Sequence, residues 1–174
     1  MYPYIKLMTV MVKSRFRSKL NVDDPCSLKF RAGIMDIDLF MELHHARYLN
    51  LTELGRLDFS SRIGFLSLMK KQKWGLVIGG ASIRYRRRIP FLAEFELTTK
   101  LICHDGRWLY FLHEFYRKNR ICASALIKGG VTSKDGLVPA SQVAEAMGKD
   151  NWDNEMPEWV SAWIQAEGQR PWPQ

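Results

Sequence analysis

The chain is short of cysteine, of histidine and of long apolar runs, and each shortage removes a class of protein. Three cysteines (Cys26, Cys103 and Cys122) among 174 residues are an odd count without framework spacing. That excludes a disulfide-stapled scaffold and leaves reduced, intracellular thiols as the expectation. No stretch approaches the ~18 to 20 continuous apolar residues of a spanning helix. Lys6 interrupts the N-terminal apolar run before any small-residue cleavage site, so no secretory signal is expected either. No Gly-x-Ser-x-Gly elbow, phosphate loop or dinucleotide fingerprint occurs, which removes three familiar chemistries. His44 and His45 invite a metal, with Glu42 as a third ligand. Neighbouring helical residues point about 100° apart, however, and although Glu42 and His45 share a face no further ligand follows. The expectation is no metal and no cofactor.

What is present is charge and aromatic mass. The formal net charge is +8, so an anionic partner is expected: nucleic acid, a membrane surface or a phosphorylated small molecule. Basic residues gather between Lys13 and Lys19 and at Arg84, Arg86, Arg87 and Arg88. Acidic ones gather at Glu145, Asp150, Asp153, Glu155 and Glu158. No nucleic-acid motif accompanies the basic runs, so nucleic acid is not the expected partner. The length suits one domain with one core.

Periodicity divides that domain. Ile5, Met8, Val12 and Phe16 recur at helical spacing in a basic segment, which suits either a helix lying on an anionic membrane or one packed on its own domain. Residues 26–33 alternate as a short strand. A helix is expected from about His45 to Asp58, and a second one capped by Ser60 or Ser61. From Gly75 the period becomes two, giving strands at 75–88, 92–104, 107–118 and 121–132 in an antiparallel meander. Asp105-Gly106 reads as a two-residue hairpin turn, and the pairs Gly79-Gly80 and Gly129-Gly130 read as bulges or bends. Pro139 and Pro157 open two C-terminal helices, the second carrying a Trp159, Trp163, Ile164 stripe. This divides the chain into an N-terminal amphipathic segment (1–22), an α+β domain (23–135) and a helical extension (136–174).

The segment from Asp36 to Leu49 holds the densest chemistry, with two aspartates, Glu42, two histidines and Arg47 in a loop entering a helix. A helix N-terminus offers unpaired N–H groups to a developing oxyanion, and a carboxylate before it can deprotonate water or merely cap the helix. Strand alternation sends Arg84, Arg86 and Arg88 to one face, as a clamp for phosphates or a salt-bridging face of a dimer. His113, in an apolar strand, reads as a satisfied core or interface histidine.

Asp36-Ile-Asp38 followed by Ala46-Arg47-Tyr48-Leu49 resembles the Asp-x-Asp-x-x-x-His-x-Asn-Asn-Ala-Arg-Tyr-Leu signature of the 4-hydroxybenzoyl-CoA thioesterase-like hotdog family. Ser82-Ile-Arg-Tyr-Arg-Arg, and the aromatic strand Trp108 to Phe115 after Asp105-Gly106, resemble its branch called thioesterase superfamily member six. The similarity covers roughly residues 26–148. It implies a curved antiparallel sheet wrapped around a long helix, assembled as a homodimer or tetramer, hydrolysing acyl-CoA or acyl-carrier-protein thioesters in the cytoplasm. It implies Asp38 as base or nucleophile, with Glu53 as second carboxylate and Glu42, His44 and His45 as further catalytic candidates. It also implies substrate-polarising backbone N–H groups at the start of the helix, from about His44 through Arg47, with Ala46, Arg47 and Tyr48 as the oxyanion and substrate-binding residues and Arg84, Arg86 and Arg88 left to bind CoA phosphates. Three departures stand out: Glu42 replaces the signature histidine, His44-His45 replace the two asparagines, and Phe40 and Met41 replace small or polar residues. A rival expectation is therefore a non-catalytic acyl-binding protein, or one that touches a membrane through residues 1–20.

Overall fold

The computed structural model describes residues 3–148 and 155–171. Asp150 and Asp153 of the acidic C-terminal cluster lie outside them. The elements are α1 (Tyr4–Ser14), β1 (Cys26–Arg31), α2 (His45–Arg62), α3 (Phe65–Gln72), β2 (Gly75–Tyr85), β3 (Glu94–His104), β4 (Leu109–Arg117), β5 (Arg120–Ser133), β6 (Gly136–Val138), α4 (Ala140–Ala146) and α5 (Glu158–Gln169). The strands form one antiparallel sheet in the order β1-β3-β4-β5-β2, with β6 beside β5. The sheet curls around α2, and this is the expected hotdog architecture.

Alternation puts Phe95, Leu97 and Thr99 of β3, and Phe111, His113 and Phe115 of β4, on the face toward α2. Tyr48, Leu51, Leu54 and Phe59 of α2 fill the space against them. Gly55 sets the distance between helix and sheet, because a Cβ there would stand 2.3 Å from Thr99 Oγ1. The outer face carries Cys103, Tyr110 and Leu126, onto which α5 docks Val160, Trp163 and Ile164, while Trp159 stays half exposed. A buried ion cluster ties the segment after α1 to α2: Asp58 Oδ2 accepts from Arg17 Nη1 at 2.8 Å and lies 3.5 Å from Arg62 Nη1.

Several details depart from the sequence reading. β2 does not pair with β3; residues 86–93 cross the end of the sheet and β2 joins β5 on the far edge. The crossing chain is held by Leu43 N–H to Ile89 O, Phe91 N–H to Met41 O and Leu92 N–H to Ala32 O, so Pro90 marks a crossover and not a hairpin. The two-residue turn with both φ values positive is Lys118-Asn119, not Asp105-Gly106, where only Gly106 is positive. Asp105 instead closes its loop by accepting from Arg107 and Trp108 N–H. Ser60 and Ser61 belong to the end of α2, and Gly64, in the left-handed region, separates α2 from α3. A bulge does fall at Gly79-Gly80, whereas Gly129-Gly130 serves close packing against Phe111, Trp108 and Leu137.

Helix α1 packs on its own domain through Leu7, Val10 and Ser14. The stripe Ile5, Met8, Val12 and Phe16 faces solvent, with Ile5 and Phe16 exposed by 85% and 86%.

Candidate functional site

The Asp36–Leu43 segment is a tight hairpin that feeds α2. Ile37 pairs with Leu43, Asp38 N–H donates to Glu42 O at 2.9 Å, and Met41 turns the corner with φ of 58°. The two aspartates have different duties. Asp36 is buried, accepts from Gly33 N–H and is bridged by Lys6, which fastens α1 to the loop. Asp38 is half-buried; its Oδ1 accepts from Phe40 N–H at 2.8 Å and Glu42 N–H at 3.5 Å, and its other oxygen is unclaimed among the described residues. Glu42 lies beside Arg88, 3.4 Å from its Nε.

His44 is the N-cap of α2, with Nδ1 accepting from Ala46 N–H at 3.2 Å, while Arg47 N–H closes on His44 O. Within the expected stretch, the amides of Ala46 and Arg47 are thus both taken up by His44. The amide left without an acceptor in the first turn, among the described residues, is that of His45. The imidazoles of His44 and His45 lie with their centroids 4.2 Å apart, tilted by 30°. Among the described residues no three His, Cys, Asp or Glu side chains gather as metal ligands. Tyr48 points into the core, edge-on to Tyr85 and Phe115, and burial, then the neighbouring Cys122, Tyr85, Glu42 and Asp38, raises its phenol far above the ordinary value.

One turn along from His45 a cavity of about 480 Å³ opens between α2 and the sheet. Its helix side centres on the stripe Leu49, Glu53, Arg56, Ser60 and Ile63, flanked by Asn50, Thr52, Leu57 and Phe59. Its sheet side is Leu76, Val77, Ile78 and Ala81 of β2 with Leu101, Leu109, Phe111 and Ile127, closed at the far end by Phe65, Val143 and Met147. Glu53 is half-buried and makes no hydrogen bond or ion pair among the described residues. Arg56, the residue sequence reasoning missed, reaches His113 from this wall. Asp38, Glu42 and His44 do not line the cavity. The three thiols are buried, which favours their neutral form: burial above all, with Asp58 adding to it, pushes Cys26 up to about 12, burial above all pushes Cys103 up to about 11, and burial raises Cys122.

The arginines divide differently from the expected clamp. β2 ends at Tyr85, and the amides of Arg86 and Arg87 both turn to Cys122 O, so alternation stops there. Arg84 goes to the outer face beside Glu114, Trp159 and Trp163. Arg86 and Arg88 line a cleft with Arg87, Arg117, Lys118 and Arg120, an open cationic basin at the end of the sheet nearest the loop.

The model of the thioesterase-like superfamily matches residues 32–164, the loop, the helix and every strand of the curled sheet except β1. The chain belongs to that superfamily. Among curated thioesterase-like relatives, Protein THEM6 of Drosophila melanogaster is 27% identical over 159 residues, spanning 90% of this chain and 82% of that protein. A 1,4-dihydroxy-2-naphthoyl-CoA thioesterase from Synechocystis shares the fold with a TM-score of 0.61 at 10% identity, over 71% of this chain and 95% of that one. A Staphylococcus aureus protein solved in complex with CoA does so with a TM-score of 0.61 at 11% identity, over 90% of this chain and all of that one.

Proposed function

We propose that this thioesterase-like protein hydrolyses acyl thioesters carried on CoA or an acyl-carrier protein, with the acyl chain lying along α2. The observation that carries the reading is the alignment of an unclaimed helix N-terminal amide at His45 with an apolar cavity whose lining begins, at Leu49, on the same helix face one turn further on. The thioester oxygen accepts from His45 N–H, where the positive end of the α2 dipole favours an oxyanion. Asp38 takes a proton from water as the water oxygen attacks the carbonyl carbon. The tetrahedral intermediate collapses with cleavage of the C–S bond, and the leaving thiolate takes the proton back from Asp38. Glu53 stands eight residues beyond His45, about 12 Å along the axis at about 1.5 Å per residue, too far to serve the same carbonyl. The basin of Arg86, Arg87, Arg88, Arg117, Lys118 and Arg120 suits the phosphates of CoA or an acidic carrier. Exposed Leu76, Val77 and Ile78 on the β2 edge favour a homodimer built through that edge.

Thiol release from a panel of acyl-CoAs, by the wild type and Asp38→Asn, tests the reading. Turnover is expected in the first and absent in the second. The asparagine keeps the oxygen that shapes the loop, so equal turnover removes Asp38 from the mechanism.

A second reading has its own observation. Tyr4, Ile5, Met8, Val12 and Phe16 form an exposed apolar stripe on α1, and Leu39 and Phe40 project from the loop. With Lys13, Arg15 and Lys19 nearby, this surface suits peripheral contact with an anionic membrane. Cosedimentation with vesicles containing phosphatidylserine is expected for the wild type and lost in Ile5→Ser/Phe16→Ser; equal binding by both removes the helix from any membrane contact.

A further inference from the structure

The cavity wall formed by α2 carries two charged groups among mostly apolar neighbours. Its lining runs from Leu49 and Asn50 to Ser60 and Ile63, with Glu53 and Arg56 beside Thr52 and Leu57 between them. Charged groups on the wall of an apolar cavity carry a desolvation cost. The fold adds wholly buried groups to hold one of them in place. His113 Nε2 lies 3.3 Å from Arg56 Nη1, and its Nδ1 lies 2.9 Å from Thr99 Oγ1. A guanidinium only donates, so Nε2 is the acceptor, and the ring proton sits on Nδ1 and is donated to Thr99. Thr52 Oγ1 accepts from the same Nη1 at 3.2 Å. The close approach at Gly55 sets α2 directly on Thr99 and so brings Arg56 within reach of His113. The guanidinium is therefore held from behind by neutral acceptors, one turn from a carboxylate that nothing in the described chain engages.

We propose that Glu53 and Arg56 form a subsite for a hydroxyl group in the middle of an aliphatic acyl chain, making mid-chain hydroxyacyl thioesters the substrate class. The assignment rests on the thioesterase reading above. A hydroxyl is both donor and acceptor: it donates to Glu53 and accepts from Arg56. A plain chain would press methylenes against both groups, and a site built to bond a hydroxyl rejects the analogue lacking it. A carboxylate at the same point would meet Glu53 as a like charge. Hydrocarbon on both sides matches Leu49 before the pair and Leu57, Ile63 and Phe65 after it. The position follows from the helix. Glu53 and Arg56 lie about 12 and 16 Å from His45 at about 1.5 Å per residue. The hydroxyl then falls roughly ten to twelve zigzag carbons, with bonds of about 1.5 Å, from the carbonyl. The stripe continues to Ile63, about 27 Å from His45, which leaves room for an eighteen-carbon chain.

The test compares 12-hydroxystearoyl-CoA with stearoyl-CoA and 3-hydroxystearoyl-CoA, using the full chain and its Arg56→Met and Arg56→Lys variants. Binding of thioether analogues of the three esters, measured by calorimetry, accompanies kcat/KM. The wild type is expected to favour the 12-hydroxy ester by about tenfold or more, the scale of a charge-assisted hydrogen bond. Arg56→Met is expected to lose that preference, and Arg56→Lys to retain part of it. A wild type that handles the three alike, or a preference that survives in Arg56→Met, overturns the subsite and leaves the thioesterase reading standing. Selective binding of the 12-hydroxy analogue without turnover keeps the subsite and overturns hydrolysis. Neither binding nor turnover of any of them removes both. If Arg56→Met fails to fold, the Arg56→Lys ratio and the positional contrast between the 3- and 12-hydroxy esters decide the matter alone.

Discussion

Two stretches of the molecule hold polar groups close to α2, and they are built in opposite ways. The hairpin before the helix shapes itself mostly by local bonds: Asp38 bonds Phe40 and Glu42, His44 bonds Ala46, and Asp36 bonds Gly33, each within four residues, with Lys6 on Asp36 and Arg88 beside Glu42 as its longer ties. The middle of the helix satisfies its groups across the fold, with Arg56 reaching His113 at a separation of 57 residues and His113 reaching Thr99. A locally closed loop can be read as a motif and keeps its shape when one side chain changes. A cross-sheet chain exists only once the sheet has formed, and it ties a binding wall to the stability of the core.

The largest effect that sharpens this contrast is kinetic. Asp38→Asn retains the loop's acceptor and is expected to leave the melting temperature unchanged while turnover falls by roughly 10²- to 10⁴-fold, the usual range for general-base catalysis. Thermal melts beside the thiol-release assay decide it, because a large fall in stability would make Asp38 a structural residue only.

The corresponding break in the middle of the helix is structural first. In Gly55→Val even the first added carbon falls 2.3 Å from Thr99 Oγ1, with Leu97 Cδ2 at 3.2 Å, so α2 must lift from β3. A loss of about 1 to 3 kcal/mol is expected from overpacking of this kind, measured by urea unfolding. The Arg56–His113 contact should loosen with it. An unchanged midpoint would mean that the helix and sheet do not need this close approach.

How much of this was legible in the sequence follows the same division. The start of α2 at His45, the strand phases of β3, β4 and β5, and the loop carboxylates were readable because period and motif are local. The place of β2 was not, since an eight-residue link with Pro90 in it serves a hairpin or a crossover equally well until Leu43 and Met41 are seen to hold it. Alternation misassigned the arginines because the strand ends at Tyr85, where two successive amides turn to one carbonyl. That His44 takes up the amides of Ala46 and Arg47 was not legible, because a histidine N-cap is not a signal that sequence rules anticipate. Arg56 carried no local mark at all. The spacing Leu49, Glu53, Arg56, Ser60, Ile63 was available, but a mixed polar and apolar stripe is not what a search for an apolar helix face detects.

The smallest and most specific effect concerns protons. His113 is fully buried, and desolvation, seconded by the positive charge of Arg56, holds its imidazole well below histidine's ordinary value of 6.5. The groups facing it are Arg56 and Thr52 from α2, Thr99 from β3 and the ring of Phe111, none of which favours a charged imidazole. A depressed folded value means that the unfolded chain binds the proton first. The stabilisation from neutral His113 is then fully present above about pH 6.5 and is lost as pH falls below it, at up to about 1.4 kcal/mol per pH unit. Carboxylates also weaken the fold in acid, so the contribution of His113 is the gap between the wild type and His113→Asn, measured by urea unfolding from pH 7.5 to 5.0. That gap is expected to shrink steadily below pH 6.5. A gap independent of pH would mean that His113 is charged or solvated in the folded chain, and the neutral acceptor behind Arg56, on which the polar wall of the cavity depends, would go with it.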